Sequence, residues 1–282
     1  MSYIEKLILA NNLSLSPIFE GLYQKKLFIL FRTIGWPPRG CHLPLPYLSF
    51  EENKELMRSK VNFFDHLFLR FMYDPKIGVD DFISQNGLVN HCRIQTNGNK
   101  HLASDANKIW NSLSSRARNT IRKSMKNSYN IDEFTINECQ DRIHWLLLKT
   151  SVRKKFLNTF SLELLNQIAL LLHKDDYLLM VAQDDDNIIA FSLFLIAEDK
   201  AIYYQGATDI RHLKAGVSSE LMYKSFVALL QRNIKCVDMN GLDDSGVAKW
   251  KESFNLDIYK ILTYEKSGIF FNFFLWMAKK LF

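Results

Sequence analysis

Leu178-Leu-Met-Val-Ala182 and Ile188-Ile-Ala-Phe-Ser-Leu-Phe-Leu-Ile196 are two apolar runs joined by the polar Gln183 to Asn187. Strand-length apolar runs on either side of a short polar link predict a β-hairpin. A third run, Ala201-Ile-Tyr-Tyr-Gln-Gly206, follows a charged turn at Glu198 to Lys200. From about Gly216 to Arg232 the pattern changes period. Met222, Phe226, Leu229 and Leu230 recur at i, i+4, i+7 and i+8, which is one helix face. A short strand is predicted at Lys235-Cys-Val-Asp-Met239. It is followed by the loop Asn240 to Gly246, a short helix over Val247 to Phe254 and a last strand over Ile258 to Tyr264. Three antiparallel strands followed by strand-helix alternation predict an α/β fold, a mixed sheet covered by helices.

Outward from this stretch, the chain of 282 residues is long enough for one large or two small domains, and 48% of it is apolar, enough for a substantial core. Residues 1–100 give fewer signals. Ser2 to Leu9 reads as a short helix, Leu27-Phe-Ile-Leu-Phe31 as a buried strand and Glu51 to Met57 as a helix with Ser49 at its N-cap. Trp36-Pro-Pro-Arg-Gly40 breaks regular structure, and Pro44 and Pro46 allow at most an edge strand. The aromatic-dense Phe63 to Met72 is read as a buried strand, with a core helix as the alternative. Asp80 to Gln85 is read as a short helix and Val89 to Gln95 as a strand. Ile143 to Leu148 and Ser161 to His173 are read as two further helices.

The net charge of +6 is local. Between Ala106 and Ile131 stand Lys108, Arg116, Arg118, Arg122, Lys123 and Lys126 with no acid among them, so this segment alone equals the excess. Trp110, Leu113, Ala117, Ile121 and Met125 line one face of a predicted amphipathic helix over residues 108–126, and Arg118, Arg122 and Lys126 form a ridge on another side. The ridge is either a solvated face or a platform for phosphates, to which the planar guanidinium fork is well suited.

Cys41, Cys92, Cys139 and Cys236 lie far apart and read as free, buried thiols of a reducing compartment. Ile4 to Leu9 is too short an apolar run for a signal peptide, so a cytoplasmic protein is expected. The histidines have no ligand spacing, so no metal is expected, and no Walker loop, G-x-S-x-G or G-x-G-x-x-G is present. Past Ser267 the segment Ile269 to Ala278 is intensely apolar and aromatic and is followed by Lys279-Lys280. At under the roughly 20 residues that a bilayer span needs, it reads either as a helix docked on the core or as an interfacial anchor holding the chain peripherally on the inner membrane.

Four pieces in order resemble the Fem-like branch of the GNAT acyltransferase superfamily: Trp110 to Lys126, Tyr203-Tyr-Gln-Gly-Ala207, Val237-Asp-Met-Asn-Gly-Leu242 and Ala248-Lys-Trp-Lys-Glu-Ser-Phe254. Trp250 stands where the family's last motif has Phe, and Asn255 where it has Gly. The resemblance implies two GNAT-like units, here a diverged one over 1–150 and a catalytic one over 151–266, with 267–282 as a tail. It implies an N-acyl or aminoacyl transferase of bacterial envelope synthesis. Its acceptor would be an amine on a nucleotide- or lipid-linked saccharide or muropeptide, and its donor acyl-CoA or aminoacyl-tRNA. Lys251 aligns with the lysine that stabilises charge near the transferred carbonyl; the alternative is one exposed lysine on an amphipathic helix. Asp238 either orients or deprotonates the acceptor amine or caps the Gly241 turn. Tyr204 either donates a proton or packs, and Gln205 lies beside it where GNAT strands splay. Arg211, Lys214 and Gly216 occupy the pyrophosphate-loop positions, with Lys214 where the first loop glycine is expected. A second reading from another class is a non-catalytic tRNA or nucleic-acid binder on a degenerate GNAT core, with the basic helix as its footprint.

Overall fold

In the computed structural model, residues 13–15, 22–26, 32–36, 47–154, 161–273 and 276 are described. The expectations for Ser2 to Leu9, Leu27 to Phe31, Pro44, Pro46 and Cys41 lie outside them. The elements run β1 Ser14–Leu15, β2 Tyr23–Lys26, β3 Arg32–Trp36, α1 Phe50–Arg58, β4 Asp65–Met72, α2 Val79–Gln85, β5 Cys92–His101, α3 Ala106–Ser112, α4 Ser115–Met125 and β6 Asn130–Glu133. They continue α5 Ile136–Lys154, α6 Leu162–Leu171, β7 Tyr177–Asp184, β8 Asn187–Ala197, β9 Lys200–Thr208, α7 Val217–Gln231, β10 Cys236–Asp238, α8 Ser245–Glu252 and β11 Asp257–Ser267. Contacts divide the chain into two compact units, residues 97–258 and residues 11–96 with 259–282. The expected boundary at residue 150 falls inside α5, and α3 and α4 group with the elements that follow them.

The unit of residues 97–258 contains the strand order β5-β10-β9-β8-β7-β6. β7, β8 and β9 form the antiparallel meander that the apolar runs predict. β10 then pairs parallel to β9, reached through α7 as the crossover. All of Ile189 to Ile196 is buried, because a strand covered on both faces carries no polar alternation. The hairpin turn places Asp185 at φ 50°, a left-handed position that Asp tolerates. α7 packs Leu221, Met222, Phe226 and Leu229 on the sheet, each no more than 2% exposed. β6, which sequence reading missed, adds an antiparallel edge to β7.

The expected single helix over 108–126 is two helices. Leu113 is extended at φ −72°, ψ 151°, and the Ser114 hydroxyl accepts from the Ala117 amide at 3.1 Å, so a serine that could continue one helix instead caps the next. Leu113, Ala117 and Ile121 are buried as the spacing predicts, but Met125 is 44% exposed. The break also uses part of the basic ridge: the Arg118 guanidinium donates to the carbonyls of Asn111 and Leu113, which end α3.

The second unit has the strand order β1-β2-β3-β4-β11. Phe63 to Met72 is the strand rather than the helix: Leu67, Leu69 and Phe71 alternate inward with no exposure. They pack with Ile34, Phe50, Met57, Leu262 and Tyr264. After β11, Phe271 docks at 1% exposure and stacks on His66 at 5.1 Å between centroids, with its amide bonded to the Phe63 carbonyl at 3.1 Å.

Candidate active site

β9 and β10 pair only through Cys236↔Lys200, Val237↔Ala201 and Asp238↔Ile202. β10 ends there while β9 continues six residues to Thr208, so one edge of β9 loses its strand neighbour and a cleft opens. The register to β8 slips at the same level. Leu193 faces Gln205 and Phe194 faces Tyr203, leaving Tyr204 as the extra residue of a β-bulge. Such a bulge re-aims side chains. Here it brings Tyr203, rather than Tyr204, to the cleft residues: the Tyr203 ring lies 5.5 Å from Lys251 Nζ and 6.4 Å from the Trp250 ring. Tyr204 is buried at 8% exposure. Gln205 folds its side-chain oxygen onto the Gly206 amide at 3.2 Å.

Lys251 is 6% exposed, although it lies on a two-turn helix with the exposed Lys249 two residues before it. α8 is set by Asp244, whose carboxylate accepts from the amides of Gly246 and Val247 at 2.9 and 3.0 Å. Lys251 Nζ donates to the Gly241 carbonyl at 2.9 Å. Burial pulls its ammonium down to about 8, opposed in part by the charge of Asp238. Asp238 accepts the Asn240 amide at 2.7 Å, and Asn240 accepts the Gly241 amide at 2.9 Å. Asp238 is therefore the cap of the Gly241 turn and, through its field, the counter-charge of Lys251. A Cβ built on Gly241 would meet Asp243 Oδ2 at 3.9 Å, an ordinary van der Waals contact, so a methyl is accommodated there. Trp250 ties α8 to the first turn of α7, its indole N–H donating to Ser219 Oγ at 3.0 Å.

The loop after β9 is a 3-10 turn over Ile210–Ala215, and three amides of the segment are taken up by its own groups. Asp209 Oδ1 accepts the Arg211 amide at 3.0 Å, the Asp209 carbonyl accepts the His212 amide at 3.0 Å, and the Leu213 carbonyl accepts the Gly216 amide at 3.3 Å. The Arg211 guanidinium grips both Asp209 oxygens at 3.0 Å and holds that carboxyl down to about 2. Gly216, at φ +88°, adopts a conformation that L side chains rarely take, and a Cβ there would lie 2.9 Å from the Thr120 carbonyl of α4. Lys123 of α4 donates to the Lys214 carbonyl at 2.7 Å. Glu220, 3% exposed in the first turn of α7, keeps one carboxylate oxygen without a hydrogen bond.

The structure thus gathers Lys251, Asp238 and Gly241 in one place and sets Gln205 on the cleft edge of β9. It joins the basic helix α4 to the loop of Arg211, Lys214 and Gly216 through Lys123 and Thr120. Arg122 bonds Asn119 at 3.1 Å and lies 5.3 Å from the Trp110 ring centroid, and Lys126 is exposed at the end of α4. Sequence reading missed Tyr203, Ser219 and Asp209. The only sign of the first was its place one residue from the bulge, which a pattern of alternating faces does not mark.

Residues 115–252 match the family model described as an acetyltransferase (GNAT) domain. No curated protein matches the chain. Among solved structures it is similar to FemX, at a TM-score of 0.57 and 13% identity over 91% of this chain and 85% of that one. It is similar to the C-terminal domain of a putative lysylphosphatidylglycerol synthetase from Agrobacterium fabrum, at 0.57 and 11% over 99% and 92%. L-PGS from Bacillus licheniformis follows at 0.53 and 12% over 98% and 95%. Identities this low establish a shared fold. Residues 115–252 are thus similar to a GNAT acetyltransferase domain, and the chain shares the fold of FemX and of the lysylphosphatidylglycerol synthetase domain.

Proposed function

We propose that this chain transfers an aminoacyl group from aminoacyl-tRNA to an amine of a nucleotide- or lipid-linked saccharide or muropeptide in cell-envelope synthesis. The neutral amine attacks the ester carbonyl carbon, the amide C–N bond forms, and the ribose oxygen of the tRNA leaves with a proton that originates on the amine. The residue we assign to this step is Lys251. Its buried ammonium, which donates to the Gly241 carbonyl at 2.9 Å, is the group we assign to the oxyanion of the tetrahedral intermediate. The charge of Asp238 favours its protonated form.

The observation that favours tRNA over acyl-CoA is the closed loop. A GNAT pyrophosphate cradle needs free amides at a helix start. Here Arg211, His212 and Gly216 spend theirs internally, Thr120 crowds Gly216, and the carboxylate of Glu220 is buried in the first turn of α7. Calorimetry with acetyl-coenzyme A at low salt is expected to give no binding heat, whereas charged tRNA with a muropeptide acceptor gives amide product. Saturable micromolar heat with acetyl-coenzyme A returns the donor to acyl-CoA and makes the closed loop a resting state.

Peripheral membrane contact belongs to the same reading. Among the described residues no helix is long and apolar enough to cross a membrane. Ile269, Phe270, Phe273 and Trp276 are 50–71% exposed beside the docked Phe271. Phe273→Ser with Trp276→Ser leaves Phe271 in place and is expected to weaken co-sedimentation with anionic vesicles at least tenfold; retention by the double variant removes the tail as the anchor.

A further inference from the structure

α5 buries Leu146, Leu147 and Ser151 and leaves Trp145, Leu148 and Val152 outside, at 53%, 44% and 79% exposure. At the α-helical step these three fall within about 60° of one another around the axis, over two turns. A single exposed apolar side chain is ordinary on a protein surface, whereas an aligned row with a tryptophan in it marks a contact face. Arg142, Lys149 and Arg153 run along one flank of the row, and Lys149 Nζ lies 3.5 Å from the centroid of the Trp145 ring. Neither Lys149 nor Arg153 is ion-paired among the described residues. From Arg142 to Leu162 the sequence holds five basic residues, Lys154 and Lys155 being the others, and no acid. The neighbouring acids are Glu138 and Asp141 in the first two turns of α5, Asp186 beside Trp145, and Asp209, whose oxygens Arg211 grips. Lys154 pairs with Asp244 at 3.6 Å. The half of α5 from Leu148 to Arg153 is therefore both apolar and positive.

We infer that the Trp145-Leu148-Val152 row of α5 is a docking face for an anionic lipid bilayer. Leucine and valine enter the acyl boundary, the tryptophan ring sits at headgroup level, and the flanking cations meet the negative surface. The row is a convex ridge on one helix. A fluid plane closes around a ridge without a complementary shape, which a folded partner would have to supply. The inference rests on the membrane part of the function proposed above and deepens it. It names a face on the unit of residues 97–258, whereas Ile269 to Trp276 belong to the other unit, so the two contacts are separable by mutation.

The test uses the full chain carrying Phe273→Ser with Trp276→Ser, so that the tail contributes neither binding nor signal. It is titrated with phosphatidylglycerol vesicles whose acyl chains carry bromine, a contact quencher of tryptophan. Saturable quenching is expected, weakened by added salt and absent with phosphatidylcholine vesicles. Adding Trp145→Phe removes the quenching while co-sedimentation persists, because the ring that enters the bilayer is now silent. Leu148→Ser with Val152→Ser, and Lys149→Gln with Arg153→Gln, each raise the lipid concentration needed for binding at least tenfold. All of these side chains are exposed or at the surface, so the fold tolerates the changes, which a melting curve checks. Lys235→Gln, an exposed lysine paired with Asp199, leaves binding unchanged. If the tail variant no longer binds vesicles, the tail is the sole anchor and the α5 face is overturned while the tail reading stands. If vesicles bind but quenching survives Trp145→Phe, or both α5 pairs bind as their parent does, the bilayer meets another surface and the inference fails. Self-association that is lost in Leu148→Ser with Val152→Ser, without lipid quenching, gives the face to a second copy of the chain and overturns it as well.

Discussion

Lys251→Met lowers transfer about a hundredfold or more and leaves the protein at least as stable at pH 7. The two halves of this result have one cause. Nζ is buried, so its charge is held at a cost that burial chiefly imposes; a drop from 10.5 to about 8 corresponds to on the order of 3 kcal/mol. Methionine fills a similar volume without the charge. It forfeits the bond to the Gly241 carbonyl, which is worth about 1–3 kcal/mol and which water reaches because Gly241 is half-buried. The expected net change runs from neutral to a gain of about 2 kcal/mol. Transfer falls by about 10²–10³, the loss typical of one oxyanion donor. Lys249→Met, on the exposed face of α8, changes neither.

The pH dependence carries the sign. Between about 8 and 10.5 the unfolded chain holds a proton that folded Lys251 has released, so parent stability rises with pH across that window relative to Lys251→Met. Below 8 the cost of the buried charge is fully present, which is where the substitution gains most. Transfer runs the other way: it declines as pH rises through about 8 and the ammonium is lost. Denaturant melts at pH 7 and pH 10 beside single-turnover rates check both. A variant that loses stability at pH 7 as it loses activity makes Lys251 a strut of the Gly241 turn and removes it from the chemistry.

The fold was legible where burial simplifies sequence. β7 and β8 are covered on both faces and read as unbroken apolar runs, and α7 announces itself by period. The break at Ser114 was not legible, because the apolar spacing from Trp110 to Ile121 continues across it and only the competition between one hydroxyl and the helix ladder decides it. The site divided in the same way. Lys251 and Asp238 could be found from motif positions, and the turn that joins them follows from Asp and Asn side chains folding onto their own backbone. That Arg211 serves Asp209 instead of a ligand depends on two side chains meeting across two residues of a 3-10 turn, which no pattern in the chain encodes. The choice of Tyr203 over Tyr204 depends on one slipped register.

Gly206→Ala tests that register directly and is expected to cost both fold and function. Gly206 sits on the cleft side of the bulge, and a Cβ added there falls inside the contact shell of the Tyr203 hydroxyl and 2.9 Å from the Phe191 carbonyl oxygen. The carbonyl belongs to the β8 ladder and cannot retreat, so the tyrosine must. Moving it withdraws the ring that covers Lys251 and lets water to the ammonium, which relaxes back toward the ordinary lysine range. Overpacking of this kind costs about 1–3 kcal/mol. Transfer falls more steeply than stability, because the cation then acts in water, where it is worth less. Tyr203→Phe on its own keeps the ring and is expected to cost little. Combined with Gly206→Ala it removes the hydroxyl that collides, so the double variant regains part of what the single one lost, leaving the strain against the Phe191 carbonyl and against the ring carbon Cζ at 3.0 Å. A double-mutant cycle on melting midpoint and on single-turnover rate measures this coupling. If the losses simply add, Gly206 and Tyr203 act separately, and the bulge does not position the ring over the lysine.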